Sequence, residues 1–405
     1  MPDTPRKTYA DLFRTPEFSP LFLSSSANIA AQTVSGLALG TLVFRATESP
    51  LLSAVSMFGP ALAQVLGATF FLSGADRLPP RATLAGLSLS FAAATAALAL
   101  PGLPVWAMLV IVLVEGLIAS LGGGVRWGLL TEILAKDGYL TGRSLFNMMS
   151  GLMQIAGYAT GGVLVTLLSP RLCLLLAAGL YGTSAALALR LTRRPPRVSG
   201  RPSVRATWQA NALLWSARPR RHVYLALWIP NGLVVGCESL FVSYDPRAAG
   251  TLFACGALGM LAGDVTVGRL LPARLRPRLG IPLLALLAAP YLVLFLRPPL
   301  ALTAVLVGLA SVGFGASLVQ QERLVALTPD ELSGHALGLH SAGMLTMQGL
   351  AAILAGTVAQ FSSPATAMSV MALASLTVTL TLTAASRRGA PDGGLLPTRA
   401  AVRSA

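Results

Sequence analysis

The sequence predicts an all-α integral membrane protein of twelve transmembrane helices in two pseudo-symmetric halves of six. Three observations predict it. First, 54% of the residues are hydrophobic, only 11% are charged and the mean hydropathy is +0.70, whereas soluble domains carry about 25% charged residues. Second, the apolar runs reach or pass the roughly 20 residues that cross a bilayer as helix. They are rich in Leu, Ala and Gly and lack the period-2 alternation of a membrane barrel. Third, the chain repeats itself at an offset of 192 residues. Arg77-Leu78 recurs as Arg269-Leu270, Pro80 as Pro272, Gly142 and Leu145 as Gly334 and Leu337, Gly151 as Gly343, and Gly67 as Gly259. A doubled set of membrane spans is the usual architecture of a secondary transporter.

The elements follow in order. Residues 1–19 form an N-terminal segment, and 20–191 hold six spans at 20–44, 51–73, 82–101, 104–133, 144–168 and 171–191. A basic central loop covers 192–221. The second half, 222–385, holds spans at 222–243, 248–270, 278–297, 299–324, 336–360 and 364–385. Residues 386–405 read as a disordered Gly/Pro/Arg-rich tail. Pro101-Gly-Leu-Pro104 and Ser362-Ser-Pro364 leave room only for tight turns between antiparallel helices.

The net charge of +15 gathers in alternate connections. One side holds Arg77, Arg81, Lys136, Arg143, the central loop, Arg269, Arg274, Arg276 and Arg278. The other holds little beyond Arg45, Arg171, Arg247 and Arg297. This is the positive-inside pattern, which places both termini in the cytoplasm and the protein in the inner (plasma) membrane. It argues against a nucleic-acid partner, since no basic soluble domain is present. Within the central loop, Ala206–Trp215 reads as a short helix on the membrane surface, anchored by Trp208 and Trp215. Arg6, Lys7 and Arg14 precede an apolar run interrupted by Ser24, Ser25, Ser26, Asn28 and Gln32, which reads as an uncleaved first span rather than a signal peptide.

Charges within spans are costly, so each is a functional candidate. Glu115 and Arg126 in the fourth span are eleven residues apart, which places them on one face about 16 Å apart. Ala119, Gly122 and Gly123 lie between them. In the seventh span Glu238 shares a face with Asn231, beyond a kink expected at Pro230. A carboxyl that alternates between apolar and wet surroundings can load and release a proton, which makes Glu115 and Glu238 proton-coupling candidates. A structural hydrogen bond is the alternative reading of Glu238. Further polar residues at helical spacing are substrate-path candidates: Asn28 and Gln32, Asn147 and Gln154, Gln320 and Gln321, His340 and Gln348. Glu322 and Arg323 read as an ion pair at the end of the tenth span. Met148, Met149, Met153, Met344 and Met347 read either as an adaptable apolar surface or as ordinary packing.

Cys173, Cys237 and Cys255 lie in apolar stretches without ligand spacing and read as structural thiols. His222, His335 and His340 lack partners at metal spacing, and no phosphate-binding Gly-Lys-Ser/Thr loop is present. The sequence therefore points to no enzyme, no metal and no cofactor, with a proton gradient rather than ATP as energy source.

Two six-span halves, a long basic central loop and the segment Leu72-Ser-Gly-Ala-Asp76-Arg77-Leu78-Pro79-Pro80-Arg81 resemble the major facilitator superfamily. That family carries Gly-x-x-x-Asp-Arg-x-Gly-Arg-Arg between its second and third spans; here Leu72 and Pro79 stand in for the two glycines. The resemblance implies a conformational-switch loop of Asp76, Arg77 and Arg81, with Arg269 in its degenerate second copy. An acid there can pair with arginine on a neighbouring helix in one conformation and release it in another. The resemblance also implies that the first, fourth, seventh and tenth spans line the central path. It likens Arg126 to a proton-coupling arginine; a snorkelling arginine is the alternative. The fifth span, with Gly151, Gly157, Gly161 and Gly162, is similar to the glycine-rich span of family exporters, Tyr158 replacing the usual proline. Close packing through small residues is the alternative. The expected function is proton-coupled efflux of a small solute (a drug, siderophore or secondary metabolite) by a monomer in the lipid bilayer. A proton-linked importer is the second reading, and a non-transporting polytopic protein a remote third.

Overall fold

The computed structural model describes residues 9–75, 78–195, 204–272, 274–329 and 332–388. Among them are twelve helices long and apolar enough to cross a membrane: Phe18–Thr47, Pro50–Ala68, Pro80–Leu98, Val105–Leu134, Thr141–Leu167, Pro170–Ala188, Arg218–Tyr244, Ala249–Leu270, Arg276–Leu296, Leu300–Ala326, His335–Phe361 and Pro364–Ala385. Proline opens four of them, at Pro50, Pro80, Pro170 and Pro364, where its missing N–H removes no intrahelical bond. Ser169 accepts a hydrogen bond from the Leu172 N–H at 3.2 Å and caps the sixth span. Gly102 holds φ +81° in the turn before the fourth span, a conformation glycine adopts without steric cost.

The expected connection between the fourth and fifth spans is helical instead. One helix is continuous from Val105 to Leu167; the link over 135–140 holds Asp137 and Gly138, which disfavour helix, but no proline to break it. A straight helix of that length would run about 95 Å. A Cβ on Gly142 would lie 2.2 Å from Leu134 Cδ1 and 3.7 Å from Leu130 Cδ1, so the chain folds back on itself and forms two spans.

The halves pack alike. Span 1 lies on span 6 as span 7 lies on span 12; spans 2 and 4 pair as 8 and 10 do, and spans 3 and 6 as 9 and 12 do. The repeated glycine at 67 and 259 does the same work twice. A Cβ on Gly67 would sit 2.1 Å from the Leu117 carbonyl oxygen, and one on Gly259 would sit 2.1 Å from that of Gly308. Backbone cannot rotate away, so Gly67→Ala and Gly259→Ala are each expected to cost about 1–3 kcal/mol of stability. Thermal unfolding in detergent measures this, with Gly86→Ala as the control, since nothing lies within 4 Å of that position. The repeat does not extend to every glycine. Gly343 is covered by the Trp228 ring, whereas Gly151 faces open space.

The halves meet through spans 2 and 11 and spans 5 and 8. An even number of spans leaves both chain ends on one face, termed the terminal face below. The firm contacts are at the other end. A Cβ on Gly162 would lie 2.5 Å from Gly250 Cα, one on Gly250 2.1 Å from Gly162 Cα, and one on Gly356 2.7 Å from Leu51 Cα. The Ser49 hydroxyl donates to Gln360 Oε1 at 2.8 Å.

The central segment is fastened to both halves. Arg194 bonds Glu17 and Glu132, each at 3.0 Å, and the Thr192 hydroxyl donates to the Glu17 carboxylate. Helix Val204–Ser216 buries Leu214 against Val223, Tyr224, Leu227 and Leu324. Trp215 stacks on Trp228, ring centroids 5.6 Å apart. Trp208 stays 67% exposed, as an interfacial anchor requires.

Candidate functional site

A cavity of about 710 Å³ lies between the halves. It runs from Leu21 and Arg126, toward the terminal face, to Glu238, Phe241 and Phe253 beside the sealed end. The spacing that put Glu115, Ala119, Gly122, Gly123 and Arg126 on one helical face places all five in its wall. Glu115 accepts a hydrogen bond from the Thr95 hydroxyl at 3.4 Å. Arg126 is partly exposed and makes no hydrogen bond or ion pair among the described residues.

Glu238 closes the helix Arg218–Glu238, which continues through Pro230. It is 6% exposed, and its Oε1 has no hydrogen-bond partner among the described residues. An unpaired buried carboxyl is expensive, and this one borders the cavity. Asn28 and Gln32 from the first span, Gln154 from the fifth and Gln348 from the eleventh also line the cavity.

The cavity does not reach the other candidates. Asn231 donates to the Leu227 carbonyl of its own helix at 2.5 Å. At that level the seventh span is covered, since Met347 lies against Gly232 and Ser375 donates to the Pro230 carbonyl. Asn147 is exposed outside the cavity, and Gln320 and Gln321 lie outside its lining. His340 is buried outside it, with Nδ1 unpartnered. Glu322 pairs with Arg276 at 2.5 Å rather than with its neighbour Arg323, because the ninth span brings Arg276 alongside. Asp76 and Arg77 lie outside the described residues. Arg81 is half-buried, and Arg269 reaches Met148 Sδ at 3.9 Å across the halves.

Sequence reasoning missed Tyr158, Phe253, Phe241, Gln64 and Tyr181, which line the cavity. Aromatic residues in apolar spans carry no signal that separates lining from core, whereas Gln64, an amide within the second span, carries the same signal that marks Gln32. It also missed a serine knot in which Ser184 lies 3.1 Å from both Ser24 and Ser88, joining spans 1, 3 and 6. Three of the four fifth-span glycines pack. Gly157 lies on Thr33, Gly161 on Val34 and Gly162 on Gly250. Among the described residues no three His, Cys, Asp or Glu side chains gather to hold a metal.

Twelve apolar helices around a solute-sized cavity between two pseudo-symmetric halves define a multi-pass membrane protein of the transporter class. The sequence matches the family model of the Major Facilitator Superfamily over residues 21–321, and the chain belongs to that family. Solved structures share the fold. A mutant of the nucleoside transporter NupG aligns with a TM-score of 0.76 at 14% identity, covering 90% of this chain and 98% of that one. A POT family transporter in complex with 5-aminolevulinic acid gives 0.72 at 10% identity, covering 95% and 98%. A bacterial homologue of the human lysosomal transporter Spinster, inward-facing and unoccupied, gives 0.68 at 14% identity, covering 92% and 96%. No curated protein matches the sequence.

Proposed function

We propose that the chain is a proton-coupled secondary transporter that exports a small solute across the plasma membrane, with the terminal face in the cytoplasm. One observation carries the coupling: Glu238, a carboxyl with no cationic partner among the described residues, borders a cavity walled by both halves, which touch at the face beyond it. Alternating access exposes such a group to one side and then the other, so its proton and the solute move in a fixed relation. Glu115 and Arg126 are the second proton-linked pair, and Asn28, Gln32, Gln154 and Gln348 supply hydrogen bonds to the solute. The basic connections support the orientation, and the glycine-rich fifth span supports export.

The test uses everted vesicles from cells producing the protein, acidified inside and followed with a pH-sensitive dye. Export by exchange predicts that adding a transported compound releases lumenal protons at a rate that scales with the amount of protein. Compound movement that is indifferent to the pH gradient overturns coupling. A gradient that drives accumulation in right-side-out vesicles instead assigns the importer reading.

A further inference from the structure

The start of the seventh span carries positive charge that no described residue answers. Arg218, Arg220 and Arg221 fall within one turn, and none forms an ion pair among the described residues. On the same face, by contrast, Arg194 has the carboxylates of Glu17 and Glu132, and Arg276 has that of Glu322. Arg220 is only 9% exposed. Its Nη2 donates to the Leu213 carbonyl at 2.9 Å. Neither Nε, which is buried, nor Nη1 finds an acceptor among the described residues. A guanidinium withdrawn from water with half its donors unused and no counter-ion is costly, and an anion from outside the chain removes that cost. The backbone adds to the field. Ala217, the N-cap of the span, offers no side-chain acceptor, so the first-turn N–H groups and the helix dipole also face an anion there.

An apolar shelf lies beside this charge. Arg220, Tyr224 and Trp228 follow at four-residue intervals and share a helical face. Trp215 of the helix Val204–Ser216 stacks on Trp228 with 9° between the rings and on Tyr224 at 6.1 Å. Trp208, two turns before Trp215 and on the same side of that helix, is 67% exposed, and Trp215 is 37% exposed. A soluble anion would answer the arginines and leave the tryptophans in water. A phospholipid answers both, and the first turn of a membrane span lies at headgroup depth. We propose that Arg220 and Arg221, with Trp208 and Trp215 beside them and Arg218 adding to the field, bind the headgroup phosphate of an anionic phospholipid in the leaflet at the terminal face. A zwitterionic lipid brings its own cation with the phosphate, which the arginines repel, so the site selects net negative charge. Because Arg220 also holds the Leu213 carbonyl, the bound phosphate braces the joint between the surface helix and the seventh span. The site stands apart from the cavity and does not rest on the transport reading.

Native mass spectrometry of the full-length protein in detergent tests this, by titration with phosphatidylglycerol or with phosphatidylcholine of the same chains. The first phosphatidylglycerol is expected to bind on the order of tenfold more tightly than the first phosphatidylcholine. Arg220→Gln should reduce that preference to about twofold or less, and the double variant Arg218→Gln, Arg221→Gln should lower it about threefold. Trp208→Ala should weaken the binding of both lipids about threefold and keep the preference between them. Arg171→Gln and Arg247→Gln, at exposed positions on the opposite face, should change nothing. Equal affinity for the two lipids overturns the proposal, as does a preference that survives Arg220→Gln. Should Arg220→Gln fail to fold, a preference that survives the double variant overturns it instead. Displacement of phosphatidylglycerol by an equal concentration of inorganic phosphate or of a hexaglutamate peptide assigns a soluble partner and overturns the lipid assignment.

Discussion

Replacing Gly250 with alanine is expected to drive the two halves apart at the face opposite the termini. The new methyl carbon would lie 2.1 Å from Gly162 Cα, 2.9 Å from Gly162 N and 3.0 Å from the Tyr158 carbonyl oxygen. All three are backbone atoms, so no side-chain rotation relieves the overlap, and either the helices separate or the closed state is lost. Overpacking of this kind costs on the order of 3 kcal/mol, which shifts the ratio of closed to open states by roughly a hundredfold. Spin labels at Glu48→Cys and Ser362→Cys, exposed positions on the two halves, should report a longer distance in the Gly250→Ala protein. An unchanged distance distribution would show that the glycine contact does not control closure.

Glu238→Gln is the second large effect expected. Glutamine keeps the shape and the hydrogen-bonding capacity but cannot exchange a proton. Flux driven by the pH gradient should fall by about a hundredfold, the size expected when a group acting throughout the cycle is removed. Downhill flux through the variant should no longer respond to pH. Glu115→Gln serves as the discriminating comparison. Glu115 already has the Thr95 hydroxyl as a partner, so Glu238 is the stronger candidate for the coupling group. Loss of gradient-driven flux in Glu115→Gln with full retention in Glu238→Gln would reverse the assignment.

The membrane architecture was legible in the sequence because bilayer physics acts residue by residue. Apolar length marks a span, and Pro80, Pro170 and Pro364 mark where spans begin. The 192-residue offset also found a true packing equivalence, since Gly67 and Gly259 each admit a carbonyl oxygen from the neighbouring helix. Helical spacing, eleven residues or about three turns, placed Glu115 and Arg126 in one wall. Other features depend on which helices become neighbours, which one helix cannot encode. Asn231 shares a helical face with Glu238, yet spans 11 and 12 cover that face at the level of Asn231 and leave it open at Glu238. Tyr158 is 80 positions from Glu238 and shares a cavity with it only because the fifth span packs on the other half. The pairing of Glu322 with Arg276 rather than with Arg323 has the same origin: an adjacent residue points elsewhere, and a residue on a packed helix arrives.

The fastening of the central segment also sets a length. Arg194 is tied to the first half through Glu17 and Glu132, and the helix beginning at Val204 is packed on the second. Only the nine residues 195–203 run between the two attachments. Fully extended, such a stretch reaches about 30 Å. The number of residues between the attachments therefore sets a maximum reach, a limit on how widely the terminal face can open while both attachments hold.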